Sequence, residues 1–218
     1  MPPDTLALLE RDLDQVSLKQ GATLLEPGDP IGTVFFPQTG LISLTVVIRN
    51  GSSLETSIIG REGALGLQTA FGKRRSFTRA TTQIGGNFST INAECFEQIV
   101  NDNTSVRDLI LRYTEMLLAE AHQIAACNSL HGGSARLCRW LLQSADRTGS
   151  DEVPLIQEYL AHMVGVRRTT VTLLGQGLQV RGLIKYKRGH IKILDRKGLE
   201  ECACECYDVM RRRSMALT

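Results

Sequence analysis

The hydrophobic periodicity of the sequence changes once, near Asn101, and this change constrains the fold more than any other feature. Between Gly21 and about Ile99, short β-rich runs alternate with turn-forming residues at intervals of roughly ten residues. Beyond Asn101, apolar side chains recur in steps of three or four residues, which is typical of a helix. A chain with this order is not an all-β or an all-helical protein. It predicts an α+β fold in which a β-rich region precedes a helical one.

The β-rich region predicts a small barrel or β-roll of the jelly-roll kind, which we place in residues 1–100. Asn50-Gly51 is the strongest hairpin signal in it, because both residues tolerate the positive φ angles of a tight turn. About six strands are expected: Thr23–Leu25, Thr33–Phe36, Leu41–Arg49, Leu54–Ile59, Ala80–Ile84 and Asn87–Ile91.

A helix from about Thr104 to Leu130 follows, with a length of roughly 40 Å at ~1.5 Å per residue. Its heptad-like pattern predicts a dimerisation helix, assigned to residues 101–131. The alternative is that the same face packs on the chain's own β-domain. Gly132-Gly133 then predicts a hinge before a third region, residues 132–218. The expected dimer seam consists of Val106, Ile110, Tyr113, Leu117, Ala121 and Ile124.

Charge is distributed unevenly along the chain. The whole sequence has a formal net charge of +2, but residues 165–197 carry nine basic residues and one acidic residue, a net charge of +8. Such a segment indicates a basic surface that meets a polyanion. There is no apolar run long enough for a membrane span and no signal-peptide pattern at the start, so we expect a cytoplasmic protein with no membrane partner.

Residues 157–181 predict a helix–turn–helix, with the turn at Gly165. The second helix turns Val171, Leu174 and Leu178 inward, so its N-terminal end is free to enter a DNA major groove. A β-hairpin follows, Leu183–Lys187 and His190–Leu194, which is typical of a wing that contacts phosphate. A solvated helical hairpin is the alternative. The candidate DNA-binding residues are Gln157, Arg167, Arg168, Thr169, Thr170, Thr172, Lys187 and Arg188.

This order of parts resembles the Crp/Fnr family of bacterial transcription regulators. The resemblance is carried by Leu160-Ala161-His162-Met163-Val164-Gly165, by Val166–Thr172 and by Gly182-Leu183-Ile184. It implies a sensor β-roll, a long dimerisation helix and a C-terminal winged helix. It also implies a homodimer on a partly palindromic DNA site, and it leaves RNA polymerase open as a further partner.

The sensor departs from the cyclic-AMP-binding members of that family. Those members have Gly-Glu-Leu-Gly, whereas this chain has Gly63-Ala64-Leu65-Gly66 and lacks the carboxylate that holds the ribose. We therefore expect no cyclic AMP binding in the usual way and leave the effector unknown. Arg75-Ser76 only partly matches the family's phosphate-binding element. The candidate effector residues are Arg75, Ser76, Arg79 and His122.

No cofactor, metal site or enzymatic activity is expected. The first of six cysteines is Cys95, so the N-terminal cluster of the iron–sulfur members is missing. A last helix of roughly Lys197–Arg213 would place Cys202 and Cys206 on one face and Cys204 elsewhere, and two ligands do not complete a zinc site. A Cys127–His131 nucleophile pair has no orienting group. The alternative function is an interaction module that senses an effector or thiol oxidation without binding DNA.

Overall fold

The computed structural model describes residues 9–72, 74–154, 160, 163–165, 168–187 and 189–216, without the side chain of Arg168. Its N-terminal half contains seven strands within these residues: β1 (Asp14–Leu18), β2 (Thr23–Leu25), β3 (Thr33–Pro37), β4 (Leu41–Val47), β5 (Ser53–Ile59), β6 (Arg79–Ile84) and β7 (Gly86–Asn92). Two helices follow, α1 (Ala93–Asp102) and α2 (Thr104–Leu130). The described helices include none that is long and apolar enough to cross a membrane.

The seven strands form two antiparallel sheets that face each other as a β-roll. One sheet has the order β2-β6-β4-β5 and the other the order β1-β7-β3. Their inner faces share a core in which Ile42 and Ala80 of the first sheet pack with Phe88 of the second. All six predicted strands are confirmed within two residues at each end, and β1 was missed. Only Val16 and Leu18 alternate in β1, and both are merely half-buried.

The predicted long helix is confirmed with the same bounds, and its start has a local cause. The side chain of Asn103 accepts a hydrogen bond from the Val106 backbone amide at 3.3 Å, which caps the first turn. Asn92 caps α1 in the same way through the amides of Glu94 and Cys95. Two consecutive capped helices follow β7 as a result. Helix α1 was not predicted from the sequence.

The predicted dimer seam does not match the burial of α2. Val106, Ile110, Tyr113 and Ile124 are at most 6% exposed within a single chain, and Leu117 and Ala121 are half-buried. The first two pack on Phe96 and Val100 of α1. Val106 and Ile110 therefore pack on the chain's own β-domain, as the alternative held, and the other seam residues are at least half-buried within a single chain. A different stripe of α2 remains open: Leu111, Thr114, Leu118 and Ala125 are exposed, and half-buried Ala121 flanks it.

The C-terminal region begins at Gly132 with α3 (Gly133–Thr148) and β8 (Glu152–Pro154). It continues as α4 (Arg168–Val180), β9 (Ile184–Lys187), β10 (His190–Ile193), α5 (Arg196–Cys202) and α6 (Cys206–Met215). The strands form a third sheet of order β8-β10-β9. The predicted wing hairpin is confirmed, whereas β8, in which only Val153 is buried, was missed.

The single last helix predicted for Lys197–Arg213 is wrong. The chain leaves the helix at Ala203, which has extended backbone angles, and starts α6 at Cys206. The interruption gives Cys204 and Cys206 directions that a continuous helix would not allow. Both side chains are buried, with 6% and 1% exposure.

Arg147, near the end of α3, joins the C-terminal region to the rest of the molecule. Its guanidinium donates two hydrogen bonds to Glu120 of α2 at 2.8 and 2.9 Å and lies 3.2 Å from the Glu62 carboxylate after β5. It also donates to the Ile58 carbonyl of β5. Burial by itself lowers the pKa of Arg147, but the carboxylates of Glu120 and Glu62 more than reverse this effect, so the side chain stays charged.

We expect Arg147→Ala to lower the free energy of unfolding by about 3–5 kcal/mol, because it leaves buried carboxylates without a partner. Chemical denaturation of the purified chain measures this change. Arg211→Ala is the matched control, because Arg211 is 42% exposed and its ion pair with Glu200 spans 3.7 Å. Equal loss of stability in both variants would contradict the role of Arg147.

Candidate nucleic-acid interface

Helix α4 has one buried face and one open face. Val171 and Leu178 are 2% exposed, and Leu174 packs against the same core, as the sequence predicts. Thr169 is exposed on α4, whereas Thr170 and Thr172 are half-buried. Leu173, which sequence analysis did not select, is 67% exposed. An exposed leucine on a helix otherwise packed by leucine and valine is available for contact with a partner.

The turn before α4 has the backbone that its sequence predicts. Gly165 has a φ of 63°, in the left-handed region that favours glycine. On its N-terminal side, Leu160, Met163 and Val164 are buried in the same core as α4. Arg168 is the first residue of α4. The side chain of Arg168, like Gln157, Arg167 and Arg188, lies outside the described part of the chain.

The wing is held beside α4 by a polar contact. The backbone amide of Tyr186 in β9 donates a hydrogen bond to the Gln179 side chain of α4 at 2.7 Å. Lys185 and Lys187 are exposed on β9, separated by the half-buried Tyr186. Lys185 was missed as a candidate, although the two-residue period of a strand places it on the same face as Lys187. Strand β9, which contacts α4, thus exposes two cations.

Other polar residues of the wing serve its own sheet. Lys192 of β10 pairs with Glu152 of β8 at 2.9 Å, which holds the missed strand on the hairpin. This contact lowers the pKa of Glu152 through the hydrogen bond and the charge of Lys192. Lys192 is therefore engaged within the domain, in contrast to Lys187 at the end of β9.

Three of the four candidate effector residues, Arg75, Ser76 and Arg79, contact the turn of residues 26–29, whereas His122 belongs to α2. Arg75 is exposed and donates to the Gly28 carbonyl at 2.7 Å, whereas Arg79 pairs with Glu26 at 2.9 Å. Ser76 is buried and donates to the Thr78 carbonyl. His122 lies on α2 and is exposed. The observed contacts of these residues serve loops and a strand end rather than a common cavity.

This chain has Ala64 in place of the carboxylate that would accept a hydrogen bond from a ribose. Its side chain is 4% exposed and packs with Val34, Ile91 and Phe96 in an apolar cluster. A ribose hydroxyl buried here would lose its hydrogen bonds to water and find no carboxylate in return.

A buried carboxyl group lies between the β-roll and α3. Glu55 of β5 accepts hydrogen bonds from Ser43 at 2.6 Å and from the Trp140 indole of α3 at 2.7 Å. Burial raises the pKa of Glu55 to about 7, although both hydrogen bonds and the charges of Arg139 and Arg147 lower it. Glu55 therefore titrates close to neutral pH.

Comparisons with known proteins agree with this geometry. Residues 15–103 match the family model of the cyclic nucleotide-binding domain, and residues 135–202 match that of the Crp-like helix-turn-helix domain. The chain is 22% identical over 204 residues to the CRP-like cAMP-activated global transcriptional regulator of Mycobacterium tuberculosis, covering 90% of this chain and 91% of that protein. It is 26% identical over 199 residues to the transcriptional regulator SdrP of Thermus thermophilus, covering 87% and 94%.

The fold is shared with solved structures as well. FixK2 from Bradyrhizobium japonicum superimposes with a TM-score of 0.75 at 14% identity, covering 88% of this chain and 98% of that one. The β-roll, the long helix and the winged helix together identify the chain as a DNA-binding transcription regulator. Since the two family models match well over half of the chain, and relatives align along nearly all of it, the chain belongs to the Crp/Fnr family.

Glu55 predicts a pH dependence of stability. Its carboxyl group loses its proton near pH 4.5 in the unfolded chain but only near pH 7 in the folded chain. Folding takes up a proton between these values, so this group lowers stability as pH rises towards 7. Thermal unfolding between about pH 5 and about pH 8 should show Glu55→Gln losing less stability than the unsubstituted protein as pH rises. Parallel curves would contradict the assignment. Exposed Glu94→Gln is the control.

Proposed function

We propose that the protein acts as a homodimer that reads a partly palindromic DNA site through α4 and holds the backbone with its wing. The observation that carries this proposal is the open face of α4, with Thr169 and Leu173, fixed beside the exposed Lys185 and Lys187 of β9. A helix N-terminus and adjacent cations suit phosphate, and an open helix face suits base edges.

The bases would be read from the start of α4. Arg168 can donate two hydrogen bonds to guanine O6 and N7, and Thr169 offers a hydroxyl and a methyl group. The Leu173 side chain, with its 67% exposure, suits van der Waals contact with a thymine methyl group.

The dimer would form along the stripe of α2 that the chain leaves open. Leu111, Leu118 and Ala125 are exposed and lie seven residues apart, which is the spacing of a coiled-coil seam. Leu118 is 59% exposed although it lies in the middle of the helix. Two helices paired here would carry two winged domains onto half-sites about 34 Å apart.

The regulatory part of the proposal concerns the sensor. Ala64, in place of the ribose-binding carboxylate, favours an effector other than cyclic AMP bound in the usual way, even though one relative is named as cAMP-activated. The family consists of transcription regulators, and we propose no enzymatic activity. We also propose that the protein is cytoplasmic and that it contacts RNA polymerase during activation.

Selection of bound DNA from a random pool by the purified, ligand-free protein tests the whole proposal. Enrichment of an inverted repeat is the expected result. Enrichment of a single half-site would contradict the dimer, and no enrichment, with and without cyclic AMP, would favour a sensor module that does not bind DNA.

We expect Leu118→Glu to convert the dimer into a monomer and to weaken binding of the inverted repeat, because it places a charge in the apolar seam. Light scattering coupled to gel filtration gives the mass, and a binding titration gives the affinity. Arg112→Glu is the control, since Arg112 is exposed on α2 but lies to the side of the stripe. A dimeric Leu118→Glu protein would rule out this stripe as the interface.

Two substitutions separate base reading from phosphate contact. Arg168→Ala should cost about 1–3 kcal/mol on the selected site and relax the preference at one base pair. Lys187→Ala should weaken all sequences alike and reduce the salt slope of log affinity by about one. Binding titrations on matched and mismatched DNA at several salt concentrations measure both effects. Identical behaviour of the two variants would contradict the division.

A further inference from the structure

Three buried cysteines and one histidine converge where α2 meets the interrupted C-terminal helix. Cys127 lies in the last turn of α2 and is fully buried, and His131 immediately follows that helix. The break at residues 203–205 turns Cys204 and Cys206 towards them. One ligand atom from each of the four residues lies within 4.8 Å of all the others.

The distances match those of a tetrahedral metal site. The Sγ atoms of Cys127 and Cys204 are 3.5 Å apart, and Cys206 Sγ is 3.6 Å from His131 Nδ1. Zn–S bonds of about 2.3 Å and Zn–N bonds of about 2.0 Å at tetrahedral angles place two sulfur atoms about 3.8 Å apart and a sulfur and a nitrogen about 3.5 Å apart. Two of the six separations between ligand atoms are therefore already close to the required values, and none of the six exceeds 4.8 Å.

Neighbouring groups orient the ligands as they do around metal sites. His131 directs Nδ1 at the sulfur atoms, while its Nε2 lies 3.2 Å from the Glu205 carboxylate. A carboxylate on the far nitrogen of a ligating imidazole fixes the ring and raises its basicity. The side-chain amide of Gln123 donates to Cys206 Sγ at 3.1 Å. The cluster thus has an outer shell as well as four ligands.

A buried positive charge also lies near the cluster. Arg139 of α3 is 2% exposed and donates to Gln143, but its Nε atom has no hydrogen-bond partner among the described residues. Three thiolates around a divalent cation carry a net charge of −1. A nearby buried guanidinium offsets that charge, which lowers the cost of burying it.

We propose that Cys127, His131, Cys204 and Cys206 form a closed Cys3His site for Zn²⁺. Thiolate and imidazole ligands suit zinc and exclude the oxygen-seeking Mg²⁺ and Ca²⁺. All four positions are filled by protein atoms, so the site is structural rather than catalytic. The proposal departs from the sequence-based expectation of no metal site, which considered only two cysteines on a continuous helix.

The site would join α2 to the winged-helix region across Gly132. Cys127 belongs to the last turn of α2 and His131 directly follows it, whereas Cys204 lies between α5 and α6 and Cys206 is the first residue of α6. Apart from the three cysteines, the apolar cluster at this junction contains the partly buried Ala135. Bound zinc would fix the angle between α2 and the winged-helix region, and with it the position of α4 relative to α2.

The full-length protein, purified under reducing conditions and stripped with a chelator, tests the site directly. We expect one Zn²⁺ per chain to be retained through gel filtration after reloading. Co²⁺ should produce the intense visible bands of a tetrahedral complex and thiolate charge-transfer absorption. Absence of retained zinc together with absence of the cobalt spectrum would overturn the proposal. So would a Cys127–Cys204 disulfide that persists in reductant.

Matched variants identify the ligands. Cys127→Ser, His131→Ala and Cys206→Ser should each lose the cobalt spectrum or weaken zinc binding. Cys202→Ser should not, because Cys202 is a neighbouring half-buried cysteine outside the cluster. Glu205→Ala, which leaves all four ligands, should weaken zinc binding by about 10- to 100-fold. Unchanged affinity in the three ligand variants, or equal loss in Cys202→Ser, would overturn the assignment.

Discussion

The buried guanidinium of Arg147 is the contact on which the arrangement of the domains depends. It binds Glu120 of the long helix, Glu62 and the Ile58 carbonyl of the β-roll at once, from a helix of the winged domain. Trp140 reaches Glu55 from the same helix. Because these partners are excluded from water, they tolerate little displacement, and the orientation of α3 is tied to the sensor.

This connection gives a physical route from sensor to DNA. Any change that moves β5 acts on Arg147 and Glu55 and hence on α3, which packs against the core that positions α4. The cysteine and histidine cluster lies near the start of α3, where the chain passes from α2 into the C-terminal region. The winged domain is thus held at two places, by a charge network and by the ligands of the proposed zinc site.

The long helix shows where sequence reasoning reached its limit. Its bounds were predicted correctly, because the polar cap Asn103 and the apolar spacing are local features. The face of the helix that stays open was not predicted correctly, because α2 carries two apolar stripes. One, with Ile110 and Tyr113, is covered by the chain itself, and the other, with Leu111 and Leu118, is left open. Periodicity identifies an apolar stripe but does not say what covers it.

The sequence alone determined the α+β order, all strands except β1 and β8, the winged helix and its basic segment, since these follow from local spacing, turn residues and charge. Only the tertiary structure decided which face of α2 is free, that Arg147 and Glu120 meet, and that Cys127 and His131 lie beside Cys204 and Cys206. The reason is distance along the chain. More than seventy residues separate Cys127 from Cys204, and only packing of α2 against the broken C-terminal helix joins them.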